Sequence, residues 1–173
     1  MTRILDGRAV ARAMRGETAA ATERMVAEGA RPPGLTTVLV GEDPASQLYV
    51  RSKVRASKKA GFVGESIVLP ESTSEGELLD VIDRLNADDA VDAMLVQLPL
   101  PDQIDREAVL ERIDPAKDVD GFHPINVGRL WLDQPAPPPA TAAGIVELLR
   151  RSEIEMSGRD AVIVGRSAIV GKP

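Results

Sequence analysis

The sequence contains no cysteine and a single histidine, His123. Without cysteine the chain has no disulfide, no thiolate nucleophile and no cysteine ligand for zinc, and one histidine excludes every multi-histidine metal centre. Aromatic residues make up only 2% of the 173 residues, so any core consists of aliphatic side chains. We therefore expect no metal. The groups that remain for catalysis are lysine, tyrosine, carboxylates, hydroxyls and an external cofactor.

Excess positive charge and long apolar runs are missing as well. The formal net charge is −6, which argues against a protein that coats nucleic acid. Nowhere do about 18 apolar residues run together, and the N-terminus brings charge before any apolar stretch. We expect a cytoplasmic protein with no nucleic-acid or membrane partner.

Apolar runs alternate with helical segments along the first 115 residues. Short runs typical of buried strands cover residues 35–40, 62–69 and 92–98, and a helix of ten or more residues separates each from the next. This alternation predicts βαβ units, and hence an α/β fold with a mostly parallel sheet. Ligands bind such sheets beyond the carboxyl ends of the strands, which directs attention to the loops after residues 40, 69 and 98.

The flanking segments carry weaker signals. Asp6 is expected to cap a first helix over residues 7–28. Residues 117–128 are polar and punctuated by glycine, and four prolines within residues 135–139 indicate a stiff connector. A last helix is expected over residues 141–151, followed by a buried strand over residues 161–164.

Three side chains share one face of the helix expected after the first strand. Ser46, Tyr49 and Lys53 are spaced by three and four residues, so they project from the same side. A phenol beside an amine is a candidate proton-transfer pair, because a lysine shielded from water can act as acid or base. The structural alternative is an exposed lysine with the tyrosine packed beneath it.

The same helix concentrates positive charge. Residues 44–60 contain five basic side chains and no acidic one. In an acidic protein such a helix favours an anionic ligand, although a solvated helix face also explains Lys58 and Lys59.

Gln97 stands where the third expected strand leaves the sheet, because Pro99 and Pro101 prevent the strand from continuing. Its amide offers a donor and an acceptor in a fixed direction, suited to a heterocycle or to holding the lysine. A satisfied edge-strand glutamine without a function is the alternative.

A second polar group surrounds Gly121. Asp118 and Asp120 precede the glycine, which suggests a rigid turn from which Asp120 can accept paired hydrogen bonds from an aminopyrimidine edge. Calcium or magnesium is a poor alternative because no further ligands stand at loop spacing. His123, followed by Pro124, favours a structural role over a catalytic one.

The apolar run 161–164 leads into Gly165, Arg166 and Ser167, with Gly171 four residues further on. This resembles a dinucleotide-binding turn with serine at the second glycine position, and Arg166 suits the extra phosphate of NADP. Many glycine-containing turns of this kind bind nothing.

Four blocks follow one another in order: GEDPASQLYVRSK (41–53), QLPLP (97–101), KDVDGF with NVG (117–122 and 126–128), and GRSAIVGKP (165–173). Together they resemble the bifunctional methylenetetrahydrofolate dehydrogenase/cyclohydrolase family, and the likeness runs from about Leu5 to Pro173. The resemblance implies that NADP removes hydride from 5,10-methylenetetrahydrofolate and that water then opens the methenyl cation to 10-formyltetrahydrofolate. It also implies a place in one-carbon metabolism and purine biosynthesis, and a homodimer.

The resemblance assigns roles to the folate-facing residues. Lys53 would transfer the proton of the hydrolytic step, and Gln97 would hold it in place. Tyr49 would stack on the folate, Asp120 would anchor the pterin, and Ser46 would join the substrate-binding set.

The resemblance also divides the chain into a folate-binding catalytic domain, residues 1–120, and an incomplete Rossmann-type NADP-binding domain, residues 121–173. Gly165, Arg166 and Ser167 would contact the NADP phosphates. Family members continue for roughly another hundred residues, and a dinucleotide fold needs further βαβ units. We therefore expect this chain alone to bind NADP weakly or not at all. The residues that would distinguish NADP from NAD lie beyond its end.

One short segment departs from the family pattern. Where the family usually has Pro-Cys-Thr-Pro, this chain has alanine at positions 140 and 142. The rival interpretation is a truncated folate-binding module that has cyclohydrolase activity only, or no activity. An unrelated NADP-linked reductase is disfavoured, because Tyr49 and Lys53 lie far upstream of the glycine turn.

Overall fold

The computed structural model describes residues 3–173, and its sheet confirms the expected α/β fold. All three strands of this sheet are parallel, in the order β2-β1-β3. The elements of the described part are α1 (Gly7–Ala27), β1 (Gly34–Val40), α2 (Pro44–Lys59), β2 (Val63–Leu69), α3 (Glu75–Ala87), β3 (Ala93–Val96), α4 (Arg106–Arg112), α5 (Pro124–Trp131) and α6 (Ala140–Arg151).

The described chain forms two compact units. One comprises residues 15–119 and holds the whole sheet with α2, α3 and α4. The other comprises residues 3–14 and 120–173 and holds α5, α6 and the glycine-containing loop after residue 164.

The central strand β1 packs through both of its faces. Val38 and Val40 lie in the main core with α3, α4 and the Met94 and Val96 side chains of β3. Leu39, on the opposite face, is also buried and lies beside α2. Side chains alternate between the faces of a strand, so a continuous apolar run is what a sheet covered on both sides requires.

Capping residues begin most of the helices where the sequence predicts. The Asp6 carboxylate accepts hydrogen bonds from the amides of Arg8 and Ala9, both at 3.0 Å. Ser74 and Glu77 form a reciprocal capping box at the start of α3, and Asp105 caps α4. These side chains satisfy amides that have no partner within the helix, so the observed boundaries lie close to the expected ones.

Helix α5 was not predicted. Its signals are weak, because it is short, contains Gly128, and has a histidine in place of a usual capping residue. The buried His123 ring nitrogen Nδ1 accepts a hydrogen bond from the amide of Ile125 at 3.1 Å and caps the helix. Pro124 follows at the first helical position, where a missing amide hydrogen costs nothing.

The prediction of a strand over residues 161–164 is wrong for the structure. These residues form neither a helix nor a strand, and the side chains of Val162 and Val164 are almost fully exposed. An apolar run becomes a strand only when a neighbouring strand takes up its backbone hydrogen bonds, and no described residue does so here.

Gly34 begins β1 in a position that leaves no room for a side chain. A Cβ atom there would lie 1.9 Å from the carbonyl oxygen of Ala90. The Gly34 amide donates to the Asp92 carboxylate at 2.7 Å, and Asp92 pairs with Arg31 at 2.6 Å. The Arg31 guanidinium and the Gly34 amide both lower the pKa of Asp92 below its ordinary value.

We expect Gly34→Ala to destabilise the protein by about 1–3 kcal/mol or more, because the backbone must move to admit the methyl group. The control is Gly16→Ala in α1, where a Cβ meets nothing within 4 Å. That change should stabilise the helix by up to about 1 kcal/mol. Urea unfolding of both variants measures the difference, and equal stabilities would contradict the packing at Gly34.

Candidate active site

The orientation of α2 is set directly after β1 ends. The Asp43 carboxylate accepts the amide of Ser46 at 2.7 Å, and Pro44 occupies the first turn. The amide and hydroxyl of Ser46 both donate to Asp43, which lowers the pKa of this carboxyl below its ordinary value. Ser46 is buried, and Asp43 caps the helix at the carboxyl edge of the sheet.

A hydrogen bond joins α2 to the exit of β3. The Lys53 amine Nζ donates to the Gln97 side-chain oxygen Oε1 at 3.2 Å, across 44 residues of sequence. Both residues are half-buried. The sequence analysis gave holding the lysine as one possible role for Gln97, and the tertiary structure brings the two side chains into contact at the carboxyl edge of the sheet.

Gln97 is held by two further bonds. Its backbone amide donates to the Val38 carbonyl at 2.8 Å, so it continues the pairing of β3 with β1. Its side-chain nitrogen Nε2 donates to the Leu98 carbonyl at 2.7 Å. Because the nitrogen is committed to a carbonyl, the amide oxygen points towards the lysine.

Tyr49 lies one helical turn before Lys53, with its side chain largely exposed at 63%. The phenol and the amine therefore lie along one side of α2. The alternative of a tyrosine packed beneath an exposed lysine is wrong, because here the lysine is the less exposed of the two.

One neighbouring residue escaped the sequence analysis. The side-chain nitrogen Nε2 of Gln103 donates to the carbonyls of Glu71, at 2.7 Å, and Thr73, at 3.1 Å. It thereby ties the loop after β3 to the loop after β2, at the edge of the sheet where Gln97 leaves β3. An exposed glutamine between two turns carries no pattern in the sequence that would reveal this contact.

Asp120 belongs to the other compact unit, where it is half-buried in a turn before Gly121. Gly121 has a φ of 69°, and a Cβ there would lie 2.2 Å from the Pro137 carbonyl oxygen. The backbone of Gly121 therefore lies so close to Pro137 that only glycine fits there. The sequence suggested a rigid turn at this position. The anchoring role of Asp120 remains a prediction.

The loop after residue 164 closes on itself. The Ser167 hydroxyl accepts the Val170 amide at 3.1 Å, and a Cβ at Gly171 would lie 2.4 Å from the Gly165 carbonyl oxygen. Arg166 and the neighbouring residues are exposed. A tight turn with an exposed guanidinium suits a phosphate group, so these residues fit the cofactor that the sequence predicts.

The geometry defines an α/β domain with a lysine–amide pair at the ligand-binding edge of its sheet. The family model of the tetrahydrofolate dehydrogenase/cyclohydrolase catalytic domain matches residues 5–120, and that of the corresponding NAD(P)-binding domain matches residues 139–173. The chain therefore belongs to the tetrahydrofolate dehydrogenase/cyclohydrolase family, as its four sequence blocks suggested.

Solved structures from three organisms resemble the chain along almost its whole length. A 5,10-methylenetetrahydrofolate dehydrogenase from the silkworm Bombyx mori is 46% identical over 99% of this chain, with a TM-score of 0.97. The bifunctional FolD enzyme of Campylobacter jejuni is 44% identical over 98%, with a TM-score of 0.94. The Trypanosoma brucei FolD enzyme, complexed with NADP and an inhibitor, is 39% identical over 98%, with a TM-score of 0.92.

The chain covers only part of these proteins. It spans 59%, 60% and 58% of the silkworm, Campylobacter and Trypanosoma chains, respectively. Within residues 3–173, no helix combines the length and the apolarity needed to cross a membrane.

We expect Asp43→Ala to loosen the first turn of α2, because the Ser46 amide loses its acceptor. Hydrogen exchange at that amide should rise while the exchange of core amides in β1 changes little. Asp102→Ala, an exposed aspartate in the loop after β3, is the control. An unchanged exchange rate at Ser46 would contradict the role of this cap.

The same cap predicts a pH dependence. The folded state lowers the pKa of Asp43, so the stabilisation is complete above the ordinary aspartate pKa and is lost as the pH falls through the lowered value. Hydrogen exchange at the Ser46 amide should therefore rise in acid as the cap is lost. In Asp43→Ala this acid-dependent rise should be absent.

Proposed function

We propose that this chain carries the folate-binding part of an enzyme that oxidises 5,10-methylenetetrahydrofolate with NADP and hydrolyses the product to 10-formyltetrahydrofolate. The hydrogen bond between Lys53 and Gln97, at the ligand-binding edge of the sheet, is the observation that carries the proposal. Membership of the family and the names of its solved relatives support the same reaction.

Hydrolysis needs a proton carrier more than a nucleophile. Water adds to the electrophilic methenyl carbon and gives up a proton. The hydroxyl group of the adduct then loses its proton and becomes the formyl carbonyl as the bond from that carbon to N5 breaks and N5 takes a proton. Two protons leave the water and one goes to N5, so one proton is released overall. Lys53 is the group that we assign to these transfers, because an amine can accept a proton from the water and return it to the leaving nitrogen.

A neutral partner suits a lysine that must change its protonation state. The Gln97 oxygen can accept a hydrogen bond both from an ammonium group and from a neutral amine. A carboxylate in its place would favour the charged ammonium form. Gln97 therefore holds Lys53 in position whether the amine is protonated or neutral.

We assign further contacts with folate to Tyr49, Ser46 and Asp120. The exposed Tyr49 ring offers a face for the aromatic part of the substrate, and Asp120 offers a carboxylate for the pterin. We also propose a homodimer and a cytoplasmic role in one-carbon metabolism and purine biosynthesis, as expected for the family.

The oxidation step depends on the residues after 164. When bound, NADP supplies the hydride acceptor. Arg166 would contact its phosphates together with Gly165 and Ser167, which flank it in the exposed loop.

We expect Lys53→Met to slow hydrolysis by at least about a hundredfold, because the proton carrier is lost. Loss of methenyl absorbance measures the rate. Arg106→Met, which removes an exposed cation from α4, is the control and should leave the rate unchanged. Equal rates in wild type and Lys53→Met would remove Lys53 from the mechanism. Stoichiometric binding of a folate analogue without turnover by the wild type would favour an inert folate-binding module.

The positioning role of Gln97 has its own test. We expect Gln97→Glu to move the pH–rate profile to higher pH, because the new carboxylate favours the ammonium form of Lys53. Gln97→Met should lower the rate without moving the profile. If both variants retained the wild-type profile and rate, Gln97 would not act on Lys53.

A further inference from the structure

Helix α2 borders a second feature, a groove of about 760 Å³ that runs between the helix and the sheet edge formed by β2. Its apolar lining consists of Leu39 from β1, Val50 and Val54 from α2, and Val68 from β2. Leu39 and Val50 are buried at the bottom of the groove, whereas Val54 is half-buried and Val68 is 60% exposed. Val54 and Val68 therefore supply its exposed apolar surface.

Positive charge lines the same groove. Arg51, Arg55, Lys58 and Lys59 border it, and none of its lining residues is acidic. This is unusual for a chain with a net charge of −6. These cations account for four of the five basic residues that the sequence places on this helix.

The groove is separate from the candidate active site. With about 100° of rotation per residue, Lys53 projects roughly 160° away from Arg51 and Arg55 around the axis of α2. Lys53 reaches Gln97 at the end of β3, whereas the groove lies on the β2 side, and β1 stands between the two strands. Neither Lys53 nor Gln97 is among the groove's lining residues.

We propose that this groove binds an amphipathic, acidic helix of a partner protein. The apolar floor and the row of cations both follow α2, at helical spacing over more than two turns. A helix that lies alongside α2 would place its apolar side chains on Val54 and Val68 and its carboxylates beside Arg51 and Arg55. Helix-in-groove recognition depends on this combination of apolar anchors and complementary charge.

A second copy of this chain fits the groove less well. If two β2 edges paired in antiparallel fashion about a two-fold axis, the α2 helices would lie on the same face of the joined sheet. Their rows of cations would then oppose each other, and like charges repel. The acidic helix α3 of a second copy could not serve either, because its apolar side chains Leu78, Val81 and Ile82 are buried in its own core.

The test uses the full 173-residue chain and labelled peptides as long as α2, which has 16 residues. One peptide carries leucines along one helical face and glutamates on the other, a second has the same composition with the leucines scattered, and a third has lysines in place of the glutamates. Fluorescence anisotropy should detect binding of the first peptide only, and added salt should weaken it. Equal binding of the first two peptides, or no binding of the first, would overturn the proposal.

Substitutions locate the peptide. The double variant Arg51→Glu/Arg55→Glu should weaken binding at least about tenfold, and Val54→Asp should also weaken it. Arg106→Glu reverses an exposed charge on α4 and is the matched control, which should bind as the wild type does. Circular dichroism establishes that each variant is folded. If a folded double variant bound the peptide normally, the groove would not be the site.

Two further measurements separate this proposal from its rivals. Lys53→Met should bind the peptide normally, and a folate analogue should not displace it, so the result does not depend on the proposed enzyme activity. Self-association that the double variant relieves would assign the groove to a second copy and overturn the proposal. A membrane surface is the other rival. If the chain bound vesicles containing phosphatidylglycerol, the double variant lost that binding and no peptide bound, the proposal would also be overturned.

Discussion

The central position of β1 is the constraint on which the candidate site depends. A parallel sheet brings the carboxyl ends of its strands to one edge, and β1 pairs with β2 on one side and β3 on the other. Helix α2 leaves this edge directly after β1, and Gln97 leaves it at the end of β3. Lys53 and Gln97 therefore meet although 44 residues separate them. A shift of one residue in the register of β3 would turn Gln97 to the other face of the sheet.

Helix α2 combines two different electrostatic surroundings. On the β3 side, Lys53 donates a hydrogen bond to the neutral side-chain amide of Gln97. On the β2 side, Arg51, Arg55 and the neighbouring lysines border an apolar groove without any acidic partner among its lining residues. The first arrangement suits proton transfer, and the second suits a lasting contact with negative charge. Both arrangements occur on one helix because Lys53 and the cations of the groove project from opposite faces of α2.

Local signals account for much of the fold. Asp43, Ser74 and Asp105 begin helices where the sequence predicts, because their side-chain oxygens bond amides only two or three residues away. The apolar run 35–40 is also a local signal. It becomes the central strand because a strand buried on both faces requires a continuous run of apolar residues. Helix α5 escaped prediction because a histidine caps it. Residues 161–164 carry the composition of a strand, but pairing decides whether a strand forms.

The sequence by itself determined the α/β class, most of the helix starts and the membership of a family, because these depend on local spacing and on blocks of neighbouring residues. Only the tertiary structure decided that the Gln97 oxygen faces Lys53, that Gln103 ties two loops together, and that four cations of α2 border an apolar groove. Each of these depends on the distance between segments far apart in the chain. That distance follows from strand order and register, which no local pattern encodes.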